Sequence, residues 1–395
     1  MDAINTNASE TVRSEPAVVA KHTVSKGRPQ RVILVLQGGG ALGAYQAGVY
    51  QAMEEAGLQP EWVIGTSIGA INASLIAGNA PGKRLERLRS FWRGVEHGFL
   101  PSMAAQIPIF GQQFANWLTI ANGLQGFFTP NPLAFASPTW PLGSERAGYY
   151  RTDPLKRSLT DHVDFDLINT GSCRLTVGAA NVRTAKMHYF DSRDMTFDVR
   201  HVMASGALPP AFPPVLINDE LYWDGGILSN TPVEAVFDDH PRRNSLVFAV
   251  HIWNPDGGEP DTLWKVLSRQ KDLQYASRAK THIMRQQQLH RLRHIISELS
   301  KRLPEEEKRN NLVREMMCYG CPTRMHVVRL LAPPFAGEDH SKDIDFSART
   351  IRTRWQAGYE ETLRVLARRP WEAEFDPLEG VLLHESQGGE LMAAE

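Results

Sequence analysis

Val32-Ile33-Leu34-Val35-Leu36 is apolar at five consecutive positions and is cut off by Gln37-Gly38-Gly39-Gly40-Ala41-Leu42-Gly43. A strand with one wet face alternates polar and apolar residues, whereas an unbroken apolar run needs cover on both faces, the condition of a buried parallel sheet. Parallel neighbours need a crossover helix, and the chain supplies one. Ala44 to Ala56 carries Ala44, Ala47, Val49, Ala52 and Met53 as its apolar residues, with Gly57 as a C-terminal stop. The unit then repeats: Trp62-Val63-Ile64 predicts a strand, Gly65-Thr66-Ser67-Ile68-Gly69 a turn, and Ala70 to Ala77 a helix closed by Gly78. Two strand–turn–helix units predict an α/β fold, whose ligands sit at the carboxyl ends of the strands.

At 395 residues the chain is long for one domain. Further strands are predicted at Leu175 to Ala179, Met187 to Phe190 and Leu246 to Trp253. Beyond about Pro255 the sequence becomes basic and helical, through Leu263 to Arg314, with a strand at Met325 to Leu331 and a helix from Ser347 to Arg368. The expected organisation is a disordered tail over 1–30, a domain over 31–254, a mainly helical region over 255–370 and a flexible tail over 371–395. Phe99 to Leu142 is rich in aromatic residues and poor in charge. Ile107 to Leu118 with Phe127 and Phe128 reads equally as a lid or acyl-chain wall and as a packed insertion.

The first thirty residues hold no apolar core of a secretory signal, and no apolar run approaches the roughly 18 residues of a membrane span. A cytoplasmic location is expected. Lys and Arg number 43 against 44 Asp and Glu, so no global field selects nucleic acid. Cys173, Cys318 and Cys321 are too few for a disulfide framework, and the single CxxC has no partner motif to complete a zinc site. Neither a metal nor an organic cofactor is expected.

Gly38, Gly40 and Gly43 fit GxGxxG between a strand and a helix, the setting of a dinucleotide site. That reading requires an acid at the end of the next strand, and here the strand ends in Ile64-Gly65-Thr66-Ser67, with Glu61 before it. Three glycines at a helix start also let N–H groups of Gly38, Gly39 and Gly40 converge on an oxyanion. Gly65 to Gly69 spells GxSxG between strand and helix, which exposes Ser67 on a sharp turn flanked by Gly65 and Gly69. A serine hydroxyl needs a base. Asp224 in Tyr222-Trp223-Asp224-Gly225-Gly226 is the candidate, although Asp-Gly is as often a hairpin turn.

These motifs together resemble the patatin-like phospholipase family, which pairs a Gly-rich oxyanion loop with a GxSxG serine and a later Asp-Gly-Gly or Asp-Gly-Ala. Ala204-Ser205-Gly206-Ala207-Leu208-Pro209-Pro210 is similar to the family's segment before the aspartate, and the match runs from Arg31 to Val250. The basic C-terminal region is similar to an extension found in a bacterial subgroup. The resemblance implies a three-layer α/β domain with a mainly parallel sheet, plus the mostly helical C-terminal region. It also implies a Ser67–Asp224 dyad that hydrolyses lipid esters through an acyl-enzyme. Leu42 stands where many members carry Arg or Lys.

The rival enzyme is a Ser–His–acid triad using His251, which closes a predicted strand; a structural role for that histidine is the commoner outcome. The rival class is a non-catalytic lipid- or polymer-binding protein. The expected partner is a lipid ester substrate, with a homo-oligomer and a peripheral membrane contact left open. The latter rests on Leu289, Leu292, Ile296, Leu299 and Leu303, an apolar seam among basic residues including Arg285, Arg291 and Arg293. Packing of that seam on the rest of the protein or on a second subunit is the preferred expectation.

Overall fold

A computed structural model describes residues 31–96, 121–171, 173–276, 279–335, 337–376 and 378–386. The tail expected over 1–30 and the Ile107–Leu118 segment lie outside the described residues. A nine-stranded sheet forms the centre. Its strands are β1 (Arg31–Leu36), β2 (Trp62–Gly65), β3 (Arg174–Asn181), β4 (Met187–Asp191) and β5 (Val215–Ile217). They continue with β6 (Glu220–Asp224), β7 (Ser245–His251), β8 (Met325–Leu331) and β9 (Val381–Glu385). The order is β9-β8-β7-β1-β2-β3-β6-β5, with β4 also paired to β3. The pairings from β9 to β3 are parallel, and those among β3, β4, β5 and β6 are antiparallel.

The apolar run of β1 divides its residues between two cores. Leu34 and Leu36 join one cluster with Val63, Val177 and Phe248, while Ile33 and Val35 join another with Ile64, Val247 and Val327. The alternation of Cβ directions along a strand sends neighbours to opposite faces, so both faces must be dry. Helices α1 (Ala44–Glu55) and α2 (Ile68–Ala77) contribute to the first cluster. The sheet therefore lies between two apolar layers, the three-layer arrangement expected.

The C-terminal region is mostly helical, with α4 (Leu263–Tyr275), α5 (Ala279–Arg302) and α6 (Ala348–Arg368) following the short α3 (Val199–Ser205). Its strands β8 and β9 nevertheless extend the same sheet beyond β7, so the sheet has no break at residue 254. The flexible tail expected over 371–395 is corrected in part: Val381–Glu385 is a strand, because its Val-Leu-Leu run pairs with β8 and buries Val381 and Leu382. Helix α6 lies along α1, with Trp355 Nε1 donating to Gln51 Oε1 at 2.7 Å and the Tyr359 hydroxyl to Glu55 Oε2 at 2.7 Å.

The half of the α5 expectation that packs the leucine seam on the rest of this chain needs correction. The helix packs through Ala279, Ile283, His290 and His294, whereas Leu289, Leu292 and Leu299 are exposed. Ile283 fits the apolar layer beside Phe237 and Val327, which turns the Leu289–Leu299 side away from the sheet.

Candidate active site

Strands β1 and β2 end side by side, Leu36 opposite Gly65, and deliver both glycine-containing turns to one edge of the sheet. Ser67 has φ 55° and ψ −125°, a conformation foreign to a β-branched or bulky residue and the strained posture of a serine held up on an elbow. The turn is that tight because α2 starts against β1: a Cβ on Gly69 would run into the carbonyl oxygens of Leu36 and Gln37. Ser67 N–H is fixed from behind by Ser205, donating to its carbonyl at 3.1 Å and its hydroxyl at 3.1 Å. The Ser205 hydroxyl in turn donates to Gly178 O at 2.6 Å. The Ala204–Pro210 segment thus contributes the support under the serine.

Asp224 closes β6, where Ala179 is its partner on β3, and is 2% exposed. It does not sit in a hairpin turn: the Asp-Gly-Gly run starts a short 3-10 turn whose Gly226 N–H donates to Asp224 Oδ1 at 2.7 Å. The Ser67 hydroxyl, on the same cavity, also favours the ionised carboxylate. Loss of hydration outweighs the Gly226 bond and the pull of the nearby Ser67 hydroxyl, and pushes the carboxyl up to about 7. An exposed aspartate near 3.9 would be a feeble base at neutral pH; burial makes this one a competent base there.

The Gly-rich loop is pinned by residues that sequence reasoning did not single out. Gln37 is fully buried; its Oε1 accepts from Ile252 and Trp253 N–H at 2.6 and 3.0 Å, and its Nε2 donates to Thr231 Oγ1 and Tyr275 O. Gly38 O accepts from Asn230 Nδ2 at 3.0 Å and Trp253 Nε1 at 2.8 Å, and Gly38 N–H donates to Asn230 O at 3.1 Å. Gly38 is therefore corrected as an oxyanion donor, since its N–H already serves the Asn230 carbonyl. The N–H groups of Gly39, Gly40 and Ile68 meet no acceptor among the described residues. Leu42 is buried in the core and brings no charge to the loop. A polar Gln between an apolar strand and three glycines was the available signal for Gln37; Ser205 stood in the Ala204–Pro210 segment, and Asn230 gave none.

Ser67, Asp224, Gly38, Gly39 and Gly40 line one cavity of about 180 Å³. Its wall is apolar and aromatic, from Ile71, Phe127, Phe128, Phe212, Leu208 and Phe346. Phe127 lies 6.2 Å from Phe212 and 6.0 Å from Phe346 between ring centroids, and Phe128 lies 5.6 Å from Phe212. Phe127 and Phe128 accordingly line the cavity while packed in the main core cluster.

His251 is not among these residues. It is 1% exposed, neither ring nitrogen has a hydrogen-bond partner among the described residues, and burial drives it down to about 3. A base in a triad must touch the nucleophile and an acid. The His251 nitrogens bond neither Ser67 nor Asp224, and His251 does not line the cavity that those two share, so the structure brings together no His251 triad. Cys318 is exposed and Cys321 half-buried, with Cys321 Sγ 3.0 Å from Thr323 Oγ1. Among the described residues no group of three or more His, Cys, Asp or Glu side chains converges as metal ligands would.

The chain is similar to lysophospholipase NTE1 of Kluyveromyces lactis, 26% identical over 247 residues, which is 61% of this chain and 14% of that protein. It is 27% identical over 247 residues to lysophospholipase nte1 of Aspergillus niger, 60% of this chain and 13% of that protein. The chain thus spans about a seventh of the length of these curated relatives. Among solved structures, VipD from Legionella pneumophila is similar at TM-score 0.37 and 16% identity, covering 86% of this chain and 67% of that one. The family model for patatin-like phospholipase matches residues 34–237, and a second, described as patatin phospholipase, matches residues 273–378. The chain belongs to the patatin-like phospholipase family.

Proposed function

We propose that the protein is a serine acyl hydrolase that cleaves lipid carboxylic esters through a Ser67–Asp224 dyad. The observation that carries this reading is that Ser67, on its strained turn, and the buried Asp224 carboxyl line one aromatic cavity. As Ser67 Oγ attacks the ester carbonyl carbon, Asp224 takes the hydroxyl proton, and the carbonyl oxygen becomes an oxyanion. The free N–H groups of Gly39, Gly40 and Ile68, two of them on a loop at a helix start, are the donors available to it. Collapse of the adduct breaks the bond to the alkoxide, which leaves with the proton held by Asp224 and an acyl group on Ser67. Asp224 then takes a proton from water, the hydroxide adds to the acyl carbon, and the fatty acid departs as Ser67 recovers its hydrogen.

The aromatic wall suits the acyl chain, and the names of the curated relatives support a lysophospholipid among the substrates. Among the described residues no helix is long and apolar enough to cross a membrane. The proposal places the enzyme in the cytoplasm, meeting its ester at a lipid surface, with no cofactor in the reaction. Incubation of purified protein with a mixed lipid extract, followed by mass spectrometry of released fatty acids, tests it. Wild type is expected to release fatty acid, and Ser67→Ala to lose about 10³-fold or more of that rate. Release that persists at wild-type rate in Ser67→Ala contradicts the assignment.

A further inference from the structure

The cavity is not built by the matched N-terminal part alone. Tyr275 on α4 and Asp343, Ile344 and Phe346 from the loop before α6 also line it. Two main-chain carbonyls from this C-terminal region hold the Gly-rich loop at its two ends. At one end, Tyr275 O accepts from Asn230 Nδ2 at 2.9 Å and Gln37 Nε2 at 3.0 Å, and the same Asn230 amide grips Gly38 O. At the other, Asp343 O accepts from Ala41 N–H at 2.8 Å. Between them lie Gly39 and Gly40, whose N–H groups have no acceptor among the described residues. The approach of Asp343 is close enough to dictate sequence: Gly40 has φ +55°, and a Cβ there would collide with the Asp343 carbonyl.

The two carbonyls are tied to each other. Lys271 Nζ, one turn before Tyr275 on α4, reaches Asp343 Oδ1 at 2.7 Å and Oδ2 at 3.0 Å, and His340 O at 2.8 Å. Lys342 Nζ reaches Asp272 Oδ1 at 2.6 Å in the reverse direction. The reciprocal pairs lock α4 to the 339–343 loop and fix where both carbonyls stand. A donor aimed at a developing oxyanion must hold its place before the charge forms.

We infer that the C-terminal region is a clamp on the oxyanion loop, with Lys271 and Asp343 as positioning residues for the hydrolysis proposed above, on which this inference rests. Neither side chain touches the reacting atoms. Their removal lets the Asp343 carbonyl drift from Ala41 N–H, and with it the aim of the Gly39 and Gly40 donors. The loss falls on the transition state and leaves ester binding in place.

The experiment compares wild type with Lys271→Met, Lys271→Arg, Asp343→Ala and the Lys271→Met/Asp343→Ala double variant, all as full chains with thermal midpoints recorded. Short p-nitrophenyl esters supply kcat and KM, and a trifluoromethyl ketone, which forms a tetrahedral adduct on serine, supplies an inhibition constant. Lys271→Met and Asp343→Ala are expected to lose about tenfold in kcat, less than the ~10²-fold or more for deleting an oxyanion donor outright. KM stays within about twofold, ketone affinity falls in parallel with kcat, and the double variant is no worse than the poorer single. Lys271→Arg, which keeps the cation, recovers most of the rate. Variants as fast as wild type, a loss carried by KM, or a rate loss that tracks a lowered thermal midpoint overturns the clamp. A wild-type chain that neither turns over esters nor reacts with the ketone overturns the hydrolase reading and the clamp with it.

Discussion

Asp224 combines two demands that conflict. A proton acceptor must ionise near working pH, and a group shut away from water resists ionising. At about 7, the carboxyl sits where both are met, and the pH dependence follows from it. Catalysis needs the ionised form, so kcat/KM is expected to rise with pH through about 7 and level off above it. Stability runs the other way. The folded carboxyl is raised above its unfolded value of about 3.9, so the folded state holds this proton more tightly. The contribution is fully present below about pH 4 and is lost as pH rises through about 7, a swing of about 4 kcal/mol at most. Asp224→Asn removes the ionising group. The variant is expected to be nearly inactive yet more stable than wild type at pH 8, with the difference in denaturation midpoint shrinking toward pH 4. An Asn variant less stable than wild type at pH 8 contradicts the burial argument.

The elements that place these residues were unevenly legible. The β1 and β2 runs, the helices after them and the Ser67 turn follow from local pattern, because apolar runs, helical spacing and glycine stops act within a few residues. Strands β8 and β9 show why the rest was hidden. Met325–Leu331 reads as a strand, but nothing local says that it adds to β7, and Val381–Glu385 is short and sits among Glu and Gly. The α5 seam shows the opposite error. A regular leucine spacing suggested the buried side, yet the helix packs on Ile283 and two histidines at 290 and 294. These strands and helices matter to the fold. β7 is buried at every position and has β8 as its neighbour, and Phe335, Phe346, Ile351 and Val365 complete the core around α1. A fragment ending at residue 254 leaves β7 as an exposed apolar edge. It is expected to aggregate or to lack near-ultraviolet circular dichroism, whereas a soluble fragment with a cooperative unfolding transition contradicts this reading of one continuous sheet.

Across the whole molecule, the proposed nucleophile and base stand in sequence motifs, while the frame around them does not. Ser67, Asp224 and the glycines stand in motifs. Gln37, Asn230, Tyr275 and Asp343 work through single amides and carbonyls brought together by the sheet, across separations of 192 residues for Asn230 and Gly38. Main-chain carbonyls carry no sequence signature, so the role of Asp343 and Tyr275 needed coordinates. Leu42 illustrates the limit from the other side: its missing charge is plain in the sequence, but the ion pairs of Lys271 and Lys342 that brace the loop appear only in the fold. The central claim is that an acyl group passes through Ser67 with Asp224 as the base. Intact-protein mass spectrometry after rapid mixing with a p-nitrophenyl ester tests it most directly. Wild type and His251→Ala are expected to gain one acyl mass that maps to Ser67, Asp224→Asn to gain it far more slowly, and Ser67→Ala to gain none. An acyl adduct in Ser67→Ala, or a folded His251→Ala protein as unreactive as Ser67→Ala, would contradict the account.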